Sequence, residues 1–304
     1  MIPQRTGIAI ALAIVYLVWG SSFVATKVLV TEAPPLLAAG LRFVLAGLLV
    51  GAFAWWRGGP PKLTRRELCN VLAVAAGTVV VSNGFNMLGM RYVASNVSAL
   101  LNASPAFIIA WLGTFGRRAT PLPVAAKSGL VLGFAGVALV LSPGGDSTTA
   151  ETSLWWSAVI LAGCVGWALG TAYFRNATIE NTPTMFLALQ MLAGGACLLL
   201  WAALAGEPLD VRWSGSTVAA FLWLTVMSSC IAYSAYAYLV LTATPVLVGS
   251  YGIVNPAVAA LLGWLLLGEV LGPGQVAGMV VILFAVALVT GFAGRLVRMP
   301  RMGR

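Results

Sequence analysis

Histidine is absent from this 304-residue chain and acids are scarce, eight against seventeen Lys and Arg. Without histidine there is no His-ligated metal, no Ser-His couple and no His-Glu-x-x-His zinc site, which removes the commonest intramembrane protease chemistries. The Gly-Lys-Ser/Thr phosphate loop is missing too, so the chain does not itself hydrolyse ATP. No enzyme activity, metal or cofactor is expected. Asp146, Glu151, Glu180, Glu207 and Asp210 fall in loops, and Glu269 sits at an outer helix end. No span interior holds an acid, which leaves no obvious proton relay of the kind pumps use. Cys69, Cys164, Cys197 and Cys230 have apolar surroundings and no paired spacing, so free, packed thiols are expected and no disulfide.

Apolar sequence is what the chain has in excess. Hydrophobic residues make up 60% and charged ones 8%, with a mean hydropathy of +0.97, far beyond a soluble domain. An all-α integral membrane protein follows, because lipid leaves backbone groups no partner but one another. Ten stretches of about 20 residues can each cross a hydrocarbon core of about 30 Å: 7–29, 36–56, 68–89, 93–115, 124–142, 154–174, 184–205, 215–240, 246–268 and 273–293. Poor helix formers mark the breaks, among them Pro34-Pro35, Gly58-Gly59-Pro60-Pro61 and Gly272-Pro273. The N-terminal apolar run is too long for a secretory signal and no small-residue cleavage site ends it, so it is read as the first span.

The two halves repeat one unit. Trp19-Gly20-Ser21-Ser22-Phe23 is answered 148 positions later by Trp167-Ala168-Leu169-Gly170-Thr171. The same offset pairs Lys27 with Arg175, Pro35 with Pro183, Arg42 with Gln190 and Gly47 with Gly195. Pro105 answers Pro256, and Gly136-Val137-Ala138-Leu139-Val140 answers Ala285-Val286-Ala287-Leu288-Val289, at offsets of 151 and 149. Five spans per unit, an odd number, make the repeat inverted, an arrangement typical of secondary transporters with the substrate between repeats. The expected organisation is one repeat over 1–142, a second over 154–293 and a basic cytoplasmic tail at 294–304.

A net charge of +9 does not signal nucleic acid here, because its distribution sets topology. Thirteen basic residues fall on one face: Arg5, Arg57, Lys62, Arg65, Arg66, Arg117, Arg118, Lys127, Arg175, Arg295, Arg298, Arg301 and Arg304. The other face has Lys27, Arg91 and Arg212, while Arg42 lies within a span. By the positive-inside rule both termini are cytoplasmic, and the basic tail meets anionic lipid headgroups. Gly47-x-x-x-Gly51, Gly129-x-x-x-Gly133, Gly166-x-x-x-Gly170 and Gly274-x-x-x-Gly278 suit close helix packing within the bundle, with a homodimer seam as the alternative.

Val18-Trp19-Gly20-Ser21-Ser22-Phe23, Leu41-Arg42-Phe43 and Leu267-Gly268-Glu269 together resemble the EamA family of the drug/metabolite transporter superfamily. The resemblance covers nearly the whole chain. It implies a ten-helix bundle in a bacterial inner membrane, a central cavity lined mainly by spans 1, 3, 4, 6, 8 and 9, and alternating access for small metabolites. Amino acids, aromatic ones included, are the best substrate guess from that resemblance, with export as the direction. A lipid or isoprenoid-carrier flippase is the alternative, for which Lys27, Arg42 and Arg91 are candidate phosphate ligands; a noncatalytic assembly or sensor protein is another. The sequence departs from symmetry where Arg118 answers Glu269.

Several side chains are candidates for substrate binding. Asn83 and Asn86 share a face of span three and either bridge helices or face a wet cavity. Trp19 and Phe23 share a face of span one, as do Trp167 and Thr171 of span six; these are either core packing or an aromatic wall for planar or cationic solutes. Tyr233 and Tyr236 lie three apart on span eight, and Tyr233 joins the candidate site. Asn102 and Asn255 stand beside Pro105 and Pro256, which free the carbonyls of Leu101 and Gly252. Those prolines are either static kinks or a pair of hinges, one for each gate. Arg42 lies about 10 Å inside span two and is assigned a structural role, snorkelling outward or bonding backbone carbonyls. With no intramembrane acid, downhill facilitation or exchange is the simplest mechanism, with coupling through Glu269 a minor alternative.

Overall fold

A computed structural model describes residues 4–115, 124–140, 147–209, 211 and 213–290. Arg118, Asp146, Asp210, Arg212 and the basic tail lie outside these residues.

Helices account for nearly all of the described chain. Eight are long and apolar enough to cross a membrane: α1 (Gln4–Glu32), α2 (Pro35–Gly58), α3 (Arg65–Met90), α4 (Ser95–Leu112), α6 (Ser147–Asn176, apolar from Leu154), α7 (Pro183–Leu204), α8 (Gly215–Thr242) and α9 (Leu247–Leu267). Two shorter apolar helices complete the set, α5 (Val124–Val140) and α10 (Pro273–Thr290). Helix faces away from the bundle carry bare hydrophobics, such as Leu48, Leu49 and Phe53 on α2 and Leu265 and Leu266 on α9, as a lipid-facing surface requires.

Local chemistry sets the helix starts. Pro34 precedes Pro35 at the first position of α2, where a missing N–H costs nothing. The side chains of Thr64, Thr182, Ser214 and Thr244 accept from backbone N–H groups three residues on, opening α3, α7, α8 and the turn into α9. At its C-terminus α9 stops at Gly268, whose φ of +66° a side chain would strain.

Close backbone approach decides which helices pair. A Cβ on Gly47 would come within 2.8 Å of Leu192, and one on Gly195 within 2.8 Å of the Val44 nitrogen, so α2 and α7 lie against each other. Gly77 of α3 meets the Gly166 carbonyl of α6 at 2.7 Å from its would-be Cβ, and Gly136 of α5 meets Ile282 of α10 at 2.8 Å. Gly252 of α9 faces Ala103 and Ala106 of α4, while Ser21 of α1 accepts from Trp223 Nε1 of α8 at 3.2 Å. The motif glycines Gly47, Gly133, Gly166 and Gly170 are thus used inside the bundle.

Three helices carry wide turns with i to i−5 hydrogen bonding, over residues 15–19 in α1, 76–83 in α3 and 223–232 in α8. Such turns concentrate at functional sites. The latter two are separated by nearly the same stretch of sequence as the repeated motifs. α4 is broken at residues 102–104, so Pro105 begins a new helical segment rather than interrupting one. This corrects the expected free carbonyl at Leu101, which accepts from the Ser104 nitrogen at 3.0 Å. Pro256 does stand inside a helix.

Among the cysteines all four are free, but only Cys164 is buried; Cys69 and Cys197 are exposed, which corrects the expectation of packed thiols.

Candidate functional site

A cavity with about 710 Å³ of empty space, counted out to open solvent, lies at the centre of the bundle between the two halves. On α1 its wall is Trp19, Ser22, Phe23 and Thr26, and on α3 it is Asn83, Asn86, Met87 and Met90 with Ser82 beside them. Apart from Ser82, both sets follow the spacing i, i+3, i+4, i+7, one face of a helix. The cavity therefore runs from mid-helix toward the end of the bundle holding loops 33–34 and 91–94.

Its polar wall is a set of amides that bond one another. Asn86 Nδ2 donates to Asn102 Oδ1 and Asn102 Nδ2 donates back to Asn86 Oδ1, each at 3.0 Å, and Ser98 Oγ donates to Asn86 Oδ1 at 3.1 Å. Asn83 Nδ2 donates to the Thr78 carbonyl at 2.7 Å and to Tyr233 Oη at 3.2 Å. Both readings of these asparagines hold together: they bridge helices and line the cavity. On α9, Asn255 is buried at 4% exposure and its Oδ1 has no partner.

The other wall is aromatic. Trp19 and Trp167, which the repeat relates to each other, meet edge to face with ring centroids 5.3 Å apart. Tyr233, Tyr236 and Tyr251 pack around Trp19 at 4.9–5.7 Å. Trp167 Nε1 donates to Tyr236 Oη at 3.2 Å, and the Tyr16 and Ser250 hydroxyls are 2.6 Å apart. This layer closes the cavity toward the end of the bundle that carries loops 59–64 and 177–182.

Of the candidates named from sequence, Trp19, Phe23, Asn83, Asn86, Asn102, Trp167, Tyr233 and Asn255 come together here, with Pro105 beside them. Thr171 does not. Its Oγ1 lies 3.2 Å from Tyr236 Oη, behind the aromatic layer, and Pro256 is likewise outside the wall. Tyr251, Ser228 and Arg42 line the cavity as well. Tyr251 was legible as the i−4 neighbour of Asn255 on one helical face.

Arg42 requires a correction. It neither snorkels outward nor bonds backbone carbonyls; it is buried at 4% exposure, lines the cavity and donates through Nη2 to Asn83 Oδ1 at 2.8 Å. Its guanidinium carbon stands 4.3 Å from the Phe43 ring centroid. Lys27 behaves oppositely: its Nζ donates to the carbonyls of Met90, Arg91 and Val93 at 2.8–3.3 Å, neutralising the C-terminal end of α3. That engagement removes Lys27 from the candidate phosphate ligands.

The EamA-like transporter family matches this chain twice, over residues 6–142 and again over 154–291. The chain belongs to the EamA-like transporter family. Within that family it is similar to the "Uncharacterized inner membrane transporter YedA" of Escherichia coli K12, 35% identical over 92% of this chain and 89% of the relative. It is also similar to the "S-adenosylmethionine/S-adenosylhomocysteine transporter" of Chlamydia muridarum, 25% identical over 84% of this chain and 83% of the relative. One crystal structure superposes with a TM-score of 0.70 at 18% identity, covering 97% of this chain and all of the other, a likeness of fold. This EamA chain is an integral membrane protein of a transporter family, and no catalytic activity is indicated by its relatives.

Proposed function

We propose that this EamA protein moves small amphipathic metabolites, amino acids including aromatic ones foremost, across a bacterial inner membrane by alternating access, in the direction of export. The observation that carries this reading is a central cavity with an amide and guanidinium wall facing an aromatic one. Asn255 Oδ1 offers an acceptor for an ammonium group, and the faces of Trp19 and Tyr251 suit an apolar or planar side chain. The name of the Chlamydia relative, a carrier of solutes that contain an amino-acid moiety, agrees with this class.

Ten spans in two inverted halves, with both termini cytoplasmic, complete the proposal. The helix pairing supports it. α2 with α7, α4 with α9 and α5 with α10 each join counterparts, while α3 with α6 exchanges with α8 with α1, as a two-fold axis in the membrane plane demands. In this topology the cavity opens outward and the aromatic layer is the closed inner gate.

Uptake of radiolabelled phenylalanine, leucine and lysine into proteoliposomes tests the substrate class. Saturable movement of phenylalanine that Trp19→Ala abolishes, at unchanged folded yield, is the expected result. Absence of transport for all three amino acids overturns the class.

A further inference from the structure

A buried cation in a membrane helix is held by something, and what holds Arg42 is incomplete. An arginine inside a membrane span is costly to insert, and a guanidinium presents five N–H donors. Asn83 Oδ1 takes one of them at 2.8 Å, and the Phe43 ring meets the charge at 4.3 Å. Nε has no partner, although it is buried. No acidic side chain lines the cavity among the described residues. The contrast with Lys27 is informative, since three carbonyls surround that ammonium and complete its bonding within the protein.

The repeat supplies a second contrast. Gln190 stands where the second half answers Arg42, and at 5% exposure it is buried as deeply. A neutral side chain therefore suffices for packing at this position of the fold. The positive charge occurs once, and it lines the cavity.

We infer that Arg42 is the docking point for a carboxylate on the transported solute. The inference deepens the transport reading above and rests on it. Arginine is the residue whose planar fork fits a carboxylate with two parallel hydrogen bonds, and with Nη2 engaged by Asn83 the fork is held in place beside the cavity. The incoming carboxylate supplies the countercharge that the described cavity wall lacks. Binding then neutralises the cavity, so an acid-bearing solute crosses with its charge covered.

Ligand-induced thermal stabilisation of the purified full-length protein tests this, because a ligand that binds the folded state raises its melting temperature. The probes are matched pairs: phenylalanine against phenylalaninamide, and phenylacetate against phenylacetamide, with sodium chloride at equal ionic strength as the control. In the wild type each carboxylate is expected to bind about tenfold or more tighter than its amide. Arg42→Gln, which copies the residue at 190, is expected to abolish that preference while amide binding persists, and Arg42→Lys to retain part of it. The wild-type pairs alone decide the matter if Arg42→Gln does not fold. No carboxylate preference in the wild type, a preference that survives Arg42→Gln, or stabilisation by chloride equal to that by phenylacetate, overturns the assignment. The two levels separate cleanly. Phenylacetate binding that depends on Arg42, with no amino-acid transport, leaves the docking point standing and removes the amino-acid class; amino-acid transport without Arg42-dependent preference does the reverse.

Discussion

The Glu269 carboxylate closes the N-terminus of α4, accepting from the Ser95 and Asn96 nitrogens at 2.8 and 3.1 Å and from Ser95 Oγ at 2.7 Å. An acid of the second half thus neutralises a helix start in the first. The other acids with described side chains also accept across the two halves. Glu207 accepts from the Leu36 and Leu37 nitrogens at the start of α2, Glu67 from the Glu180 and Asn181 nitrogens just before α7, Glu32 from the Ser214 and Thr217 hydroxyls at the start of α8, and Glu180 from the Thr64 hydroxyl just before α3. Each clip ties one half to the other. Glu269 is therefore engaged in structure, which weakens the case for ion coupling through it.

Glu269→Ala is expected to lower unfolding stability by about 1–3 kcal/mol, since three donors lose their acceptor. Glu269→Gln keeps one oxygen and is expected to lose less. Thermal unfolding in detergent measures both, and equal stability of all three proteins would contradict the clip.

The reciprocal pair Asn86 and Asn102 predicts non-additivity. Replacing either by Leu costs the other amide its reciprocal bonds and leaves it bonded to Ser98, whereas the double replacement removes both amides. The double mutant is expected to be more stable than the sum of the singles by about 0.5–3 kcal/mol. Additive losses would show that each amide acts alone.

Gly77→Ala sets a Cβ 2.7 Å from the Gly166 carbonyl oxygen, a backbone atom that cannot rotate away. A loss of about 1–3 kcal/mol is expected as α3 and α6 separate. Gly215→Ala meets nothing within 4 Å and serves as the control. Its melting temperature is expected to match or exceed that of the wild type.

Pro105 and Pro256 are expected to differ. Pro105 starts a helical segment, so Pro105→Ala restores no bond and leaves access to the cavity unchanged. Pro256 lies within Tyr251–Leu267, where Pro256→Ala supplies the missing donor to the Gly252 carbonyl. A hinge at Pro256 alone predicts altered labelling of a cavity cysteine from one side of the membrane. Unchanged labelling in both variants makes both prolines static.

Membrane residence and helix positions were legible in the sequence because each is a one-dimensional property: hydropathy over about 20 residues and breakers between runs. Much of the site was legible for a related reason. Trp19 with Phe23, and Asn83 with Asn86, share helical faces that spacing alone reveals. Arg42 was not, because its role depends on Asn83 lying across from it on another helix. Thr171 shared a face with Trp167 yet fell behind the aromatic layer, since which part of a face meets a cavity depends on helix depth and rotation. The wide turns ending at Trp19 and Asn83 rotate those side chains with no proline to announce them. Glu180 and Glu207, read as loop residues, and Glu269, read at a helix end, gained their partners only when the two halves met. Spacing along one chain determines what each helix can present, and packing between helices decides what each presentation touches.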